Sequence, residues 1–383
     1  MPPARSTAQR SKSAVPTPAW SAETELVGLT LELQPLQPST LYPQYTIGLH
    51  AWFLDQVRQL DPTLSAHLHD GQSEKPFTIS ALSGVEIAPG GVPKVKPEQT
   101  YTWTITALSK SVVEWLTTWL QNPPREIDLR GAPLQINNWG LKNPAPIHPP
   151  TTYEQLIDVP VPDTPQIALS FLSPTSFRRR KNHFPLPVPS NLFHSYLRRW
   201  NDFSGIKYDQ DDFLDWVEDS VVILRHHVRS VKTVAGKRGS VTGFTGAIEL
   251  GLIKEALQDS EYVQLFMALG RLAPYCGTGH KTTFGLGQTR LEWSNVPEEP
   301  SQPTLQDLLA ERIADLTEYF KSQRKRTSGD RAFNIAETWA TILARRELGE
   351  SLQDIAEDLE MRYETVKTYV KLARKALEDE RNL

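Results

Sequence analysis

Cysteine is nearly absent: Cys276 is the only one in 383 residues, which excludes an internal disulfide and every cysteine-built metal centre. No uninterrupted apolar run approaches the roughly 20 residues that cross a bilayer. The Pro/Ser/Ala-rich, basic stretch Met1–Pro18 lacks the apolar centre of a signal peptide. These absences lead to the expectation of a cytoplasmic chain with no membrane contact, no metal and no cofactor, whose residues 1–23 form a disordered tail. Net charge is also small, −4, so bulk electrostatics alone do not mark a polyanion binder.

What is present is a local charge pattern. Between Phe171 and Gly239 there are twelve Lys/Arg against seven Asp/Glu, with the positives bunched at the two ends of the stretch. Such bunching lets a globally acidic protein bind a polyanion. Arg178, Arg179 and Arg180 form one bunch; Lys232, Lys237 and Arg238 lie in the other.

Apolar periodicity divides the chain into three sections. In the first, residues 24–142, Leu29, Leu31 and Leu33 alternate as a half-buried strand does, and Leu49, Phe53, Val57 and Leu60 stripe a helix over 46–60. Strands over 76–82 and 100–108, a helix over 110–121 and a strand near 134–139 complete the order βαββαβ. A Pro-dense linker, 143–165, follows. The pattern then repeats over 166–294: a strand at 166–172, a helix at 190–203, a long hairpin of 221–234 with 241–252, a helix at 262–275 and a strand at 288–293. The fold class predicted is α+β, two tandem ferredoxin-like domains. The third section, 304–383, reads as an all-α module: a helix over 304–323, then a basic, flexible Arg324–Gly329 joint that predicts independent movement of residues 331–383.

The sharpest local signal is Gly277-Thr-Gly-His-Lys-Thr-Thr-Phe-Gly-Leu-Gly287, between a helix and a strand. Its glycines, Gly277, Gly279, Gly285 and Gly287, permit positive φ and close backbone approach. Exposed N–H groups there, with Lys281 and His280, predict an anion nest. It is no P-loop, which needs Gly-Lys-Ser/Thr leading into a helix; here Lys281 follows His280 and the loop leads into a strand.

Placed before the last strand of a second ferredoxin-like domain, this loop resembles the glycine-rich loop of the CRISPR repeat-RNA endoribonucleases. Ile47-Gly-Leu-His-Ala-Trp-Phe53, Phe171-Leu-Ser-Pro-Thr-Ser-Phe-Arg178, Leu197-Arg-Arg-Trp-Asn201 and Gly243-Phe-Thr-Gly246 resemble further family segments in the family's order. The likeness spans about residues 24–293. It implies cleavage of CRISPR precursor RNA within its repeat, without metal, by attack of a ribose 2′-OH on the adjacent phosphate. His50 is then the proton-transfer group, its ordinary pKa of about 6.5 suiting that task. Some relatives add a tyrosine before the histidine and a lysine two turns after it. Here Tyr45, with Tyr42, precedes it, and Arg58 is the only later cation in that helix; Arg178 is the rival phosphate clamp. His183, His226 and His227 are further titratable candidates, read as RNA contacts or surface. A catalytically inactive repeat-binding subunit of a guide-RNA effector complex is the alternative within this reading.

The C-terminal section carries a second pattern. Ser351-Leu-Gln-Asp-Ile-Ala-Glu-Asp-Leu-Glu-Met-Arg-Tyr-Glu-Thr-Val-Lys-Thr-Tyr-Val370 resembles the helix-turn-helix of response regulators and sigma-factor C-terminal regions. Ser351 is placed as a cap, Ile355, Ala356, Leu359, Val366 and Val370 inward, and Thr365, Lys367, Thr368, Lys371 and Arg374 outward. The outward face predicts contact with duplex DNA or with a protein of the effector complex. A transcription regulator built on this module is the remaining alternative.

Overall fold

The computed structural model describes residues 20–69, 74–87, 93–141, 148–179, 182–234, 239–294, 305–323 and 330–381, and the side chains of all of these but 330–333 and 379–381. Arg180, Lys237, Arg238, most of the expected tail and the Arg324–Gly329 segment lie outside the described residues.

The first domain runs β1 (Val27–Pro35), β2 (Ser39–Thr40), α1 (Tyr45–Leu60), α2 (Pro62–His69), β3 (Phe77–Ile79), β4 (Glu86–Ile87), β5 (Pro93–Val95), β6 (Tyr101–Ala107), α3 (Lys110–Trp119), β7 (Glu126–Asp128) and β8 (Pro133–Gly140). Its main sheet has the order β3-β6-β1-β8-β7, antiparallel, with Leu29 opposite Ile105 and Leu31 opposite Trp103. The first four strands in that order are a ferredoxin-like sheet, and β7 is an added edge. Leu29, Leu31, Phe53, Trp103 and Leu116 close the core between the sheet and its helices. Strand β1 departs from the half-buried expectation. Its second face is covered too, because the backbone at His148 crosses Gly28, whose N–H donates to the His148 carbonyl at 3.0 Å. Trp20, assigned by its sequence to the tail, packs on this domain and donates to Thr117 at 2.9 Å.

The second domain runs α4 (Tyr153–Ile157), β9 (Gln166–Thr175), β10 (Phe177–Arg179), β11 (Asn182–Phe184), α5 (Pro189–Phe203), α6 (Gln210–Ser220), β12 (Val221–Val234), β13 (Ser240–Leu252), α7 (Ser260–Cys276) and β14 (Thr289–Arg290). The sheet order β12-β13-β9-β14 is again ferredoxin-like. The long hairpin forms as its pattern predicts, with Val234 opposite Ser240. Strand β14 keeps only two residues of the expected six. Helix α6 was not anticipated: its composition is acidic, but Asp209 caps it and Phe213 and Val217 bury one side. The Pro-rich linker is not plain spacer either. Thr152 and Gln155 form a capping box for α4, which seats Tyr153 against Trp200 in the second core.

The C-terminal module comprises α8 (Leu305–Ser322), α9 (Asp330–Glu347), α10 (Leu352–Asp358) and α11 (Tyr363–Arg381). Ser351 caps α10 by accepting from the Asp354 N–H, and Glu360 takes a left-handed φ of 52° at the turn. Ile342, Ile355, Ala356, Leu359, Val366 and Val370 form the helix-turn-helix core. The expected independent movement is not what the structure shows. Leu309, Ile313, Phe320 and Ala340 enclose Val234 from the β12–β13 hairpin, and Thr341 accepts the Gly239 N–H at 3.0 Å. On the other side, Arg130 in the β7–β8 turn pairs with Asp358 and Glu350. Both domains therefore hold the module, through apolar burial on one side and ion pairs on the other, which a sequence-level reading of a flexible joint does not register.

Candidate functional site

His50 lies one turn into α1 and faces the second domain. Its Nδ1 is 2.8 Å from the backbone carbonyl of Thr283, in the short 3-10 turn Thr282–Phe284 of the glycine-rich loop. A carbonyl only accepts, so Nδ1 carries the proton and Nε2 is the nitrogen whose protonation can change. The ring stacks on Phe284 with centroids 4.2 Å apart and lies 5.9 Å from Phe77 of β3. One imidazole is thus clamped between the domains, its tautomer and plane both set.

The loop reaches this position because its glycines tolerate geometry no other residue does. Gly279 has φ 79° and Gly287 φ 68°; a Cβ at either would lie about 2 Å from a carbonyl oxygen, of Ser176 (2.2 Å) and Thr278 (2.1 Å) respectively. Internal bonds fix the rest. The Thr278 N–H donates to Gly287, the Gly279 N–H to the Ser195 hydroxyl and the His280 N–H to Ser176, at 2.8, 3.0 and 3.1 Å. Buried Arg199 donates to the Gly279 carbonyl at 2.9 Å. These bonds correct the expectation of an anion nest over Gly277–His280. The N–H groups there are spent inside the protein, and the loop acts as a shaped support that presents the Thr283 carbonyl to His50.

The remaining expected residues fall into three groups. Arg178 and Arg179 on β10 stand beside the loop, and Arg178 faces His183 across the β10–β11 pair. Lys232 on β12 pairs with Thr242, whose carbonyl accepts from Ser176, next to the loop. Lys281, with a left-handed φ of 61°, is two residues before Thr283 and so within about 7 Å of it along the backbone. Burial pushes the Lys281 ammonium down to about 8, the Arg178 charge acts in the same direction, and the Glu337 carboxylate of α9 opposes both. Arg178 and Lys281 are near enough for their charges to act on each other, Arg179 follows on β10 with its guanidinium over Phe184, and Lys232 is exposed on the adjoining hairpin.

His280 stacks on His183 (5.4 Å between centroids) and its Nδ1 donates to the Ser176 carbonyl at 2.7 Å. Burial, offset in part by that bond, pushes its pKa down to about 4, so it is neutral near pH 7. It is a strut rather than a titrating contact. His226 and His227 are exposed on β12.

Two expected catalytic residues are not brought to His50. Tyr45 is buried in the first core, its hydroxyl on the Leu82 backbone and its pKa pushed up to about 12 by burial. Arg58 is eight residues along α1, about 12 Å away by helix rise, exposed and paired with Asp55. A tyrosine preceding the histidine in sequence points elsewhere because α1 begins at Tyr45 and turns it inward. Thr283 and Phe284, which do meet His50, were passed over as loop residues; an aromatic just before Gly285 was the available signal. In α11, Lys367, Thr368, Lys371 and Arg374 are exposed and Thr365 half-buried, with Lys367 3.7 Å from Glu364. Among the described residues no His, Cys, Asp and Glu side chains gather into a metal-holding group, and no helix is long and apolar enough to cross a membrane.

Two ferredoxin-like domains in tandem, meeting at His50 and the glycine-rich loop, define a tandem-ferredoxin protein. Comparison with known proteins agrees. The family model of the CRISPR Cas6 N-terminal domain matches residues 27–157, and that of the CRISPR-associated endoribonuclease Cas6 matches residues 169–289. The chain belongs to the Cas6 family. One Cas6 product complex shares 26% identity over 70% of this chain and 99% of its own, with a TM-score of 0.55. A second shares 25% over 69% and 99%, with a TM-score of 0.56. Thermus thermophilus Cas6 shares 25% over 70% and 99%, with a TM-score of 0.51. No curated protein matches the chain.

Proposed function

We propose that this chain cuts CRISPR precursor RNA within its repeat in the cytoplasm, without a metal ion, with His50 as the proton-transfer group. The observation that carries the reading is the bond from His50 Nδ1 to the Thr283 carbonyl. With Nδ1 so committed, Nε2 is the nitrogen of the neutral imidazole that takes the proton of a ribose 2′-OH. The 2′ oxygen bonds to the adjacent phosphorus while the bond from phosphorus to the 5′ oxygen breaks. The products are a 2′,3′-cyclic phosphate and a 5′-OH, the latter completed by a proton. Lys281 and Arg178 supply positive charge where the phosphorane becomes more negative. Arg179 and Lys232 extend the positive charge along the RNA backbone, outside the reacting bond.

The test is incubation of the full chain with repeat RNA in the presence of EDTA, with product ends mapped. Cleavage at one position giving a cyclic phosphate, abolished in His50→Ala with binding within a few-fold, is the expected result. Binding without cleavage would identify instead a repeat-binding subunit of a guide-RNA effector complex. A requirement for divalent metal would overturn the mechanism.

A further inference from the structure

The helical module lies outside the residues matched by the Cas6 family models, yet it touches the segment that launches α1. Arg130, in the β7–β8 turn, holds a left-handed φ of 57°. Its guanidinium pairs with Asp358, lies 3.8 Å from Glu350 and reaches the Asp354 carbonyl at 3.4 Å, all from the module. The same guanidinium sits 4.3 Å over the ring of Tyr42. The Tyr42 hydroxyl abuts the backbone at Gly48, where a side chain would collide with it, a Cβ falling 2.4 Å away. The Tyr42 carbonyl also accepts the Tyr45 N–H at 3.0 Å, at the first residue of α1. From α8, Gln306 donates to the Pro43 carbonyl. Two separate parts of the module thus converge on Tyr42 and Pro43, and Gly48 is two residues from His50.

We infer that Arg130 is a positioning residue for His50, held over Tyr42 by the carboxylates of Glu350 and Asp358 so that the helical module completes the active site. The inference rests on the cleavage reading above for its kinetic consequence, not for its geometry. The network is built for this geometry. Glu350 and Asp358 also bind Arg345, which is fully buried, with contacts of 2.5 and 2.6 Å from one guanidinium nitrogen. The carboxylates are therefore fixed from behind: Asp358 gives one oxygen to Arg345 and the other to Arg130, and Glu350 stands 3.8 Å from Arg130 as a nearby charge. Arg130 keeps some solvent contact, its side chain 26% exposed, whereas Asp358 and Glu350 are largely buried, so moving the guanidinium off the ring leaves two mostly buried carboxylates with one cation fewer. The tyrosine in turn meets the first turns of α1 at two points, its carbonyl accepting the Tyr45 amide and its hydroxyl packing on Gly48. A shift of about 1 Å at a reacting group costs about 100-fold in rate, so a loose start to α1 is felt at His50 even though no module residue touches it.

The test uses full-length variants. Arg130→Gln leaves Arg345 paired with both carboxylates, so the module core is spared. Tyr42→Phe keeps the ring under the guanidinium and removes only the hydroxyl. Single-turnover cleavage with protein in excess is expected to slow by about 10–100-fold in each, and the double variant to be no slower than the worse single one. Affinity for a repeat carrying 2′-deoxyribose at the cut should stay within about threefold, and Arg130→Lys should recover part of the rate. Hydrogen exchange of a peptide spanning residues 45–54 should quicken while the second domain is unchanged. Wild-type cleavage rates in Arg130→Gln, or loss of rate with equal loss of affinity and faster exchange throughout, would overturn the inference. If the wild-type chain cuts no repeat, the cleavage reading falls and exchange alone decides: unaltered protection of residues 45–54 in both variants overturns the clamp.

Discussion

Replacing Phe284 by alanine tests the proposed geometry of His50 directly. Two contacts orient the imidazole: the Thr283 carbonyl at 2.8 Å and the Phe284 ring at 4.2 Å. A neutral hydrogen bond contributes about 0.5–1.5 kcal/mol net, and a stacked aromatic pair adds about 0.5–1.5 kcal/mol beyond its buried area. Phe284→Ala removes the second outright and frees the turn that carries the first. The orienting energy at risk is thus about 1–3 kcal/mol, or about 5–160-fold in rate at 1.36 kcal/mol per decade. Because Phe284 is half-buried, the fold should lose only about 1–2 kcal/mol. The assay is single-turnover cleavage of repeat RNA beside equilibrium binding. A rate about tenfold or more below wild type, with affinity nearly kept, is expected, and Phe284→Leu should fall between. Wild-type cleavage by Phe284→Ala would show that the stack does not orient the reacting group.

Further outcomes follow from the basic residues and the module. With Arg178, Arg179, Lys232 and Lys281 on phosphates, the logarithm of repeat affinity should fall by about 3 per decade of salt, at about 0.7 per single-strand contact; a slope near zero would remove these residues from RNA binding. Lys281 has a folded pKa of about 8, below the ordinary lysine value, so it is charged below pH 8 and loses its proton above. RNA favours the charged form, so affinity measured by titration should weaken as pH rises through 8, and Lys281→Arg should abolish that step; an unchanged step would assign it to another group. The same shift makes the fold gain stability between pH 8 and the unfolded pKa, where the unfolded chain binds more protons. Reversing charge at Lys367, Lys371 and Arg374 should abolish duplex-DNA retention in a gel-shift assay if α11 enters a groove; duplex binding that survives the reversal excludes α11 as its reader.

The order of elements in both ferredoxin-like domains was legible in the sequence, because alternation in Leu29–Leu33 and the helical stripes of α1 and α5 depend only on which residues must leave water. The helix-turn-helix was legible for the same reason, with Ser351 as its cap and Val366 and Val370 inward. His50 was identified through the family resemblance of its flanking residues, and the glycine-rich loop through its composition. What the loop does was decided only by the tertiary structure. Its N–H groups could have faced a phosphate, and they face Ser195, Ser176 and Gly287 instead, since hydrogen-bond partners distant in sequence leave no local trace. Tyr45 and Arg58 show the same limit: proximity to His50 along the chain is rotated away by the helix. The largest departure concerns the module. A basic joint suggested independence for the residues after it, but the Gly239 amide on Thr341 and Arg130 between Asp358 and the Tyr42 ring tie them to both domains. Those contacts pair residues more than 70 positions apart, and only the folded chain brings their charges and apolar surfaces together.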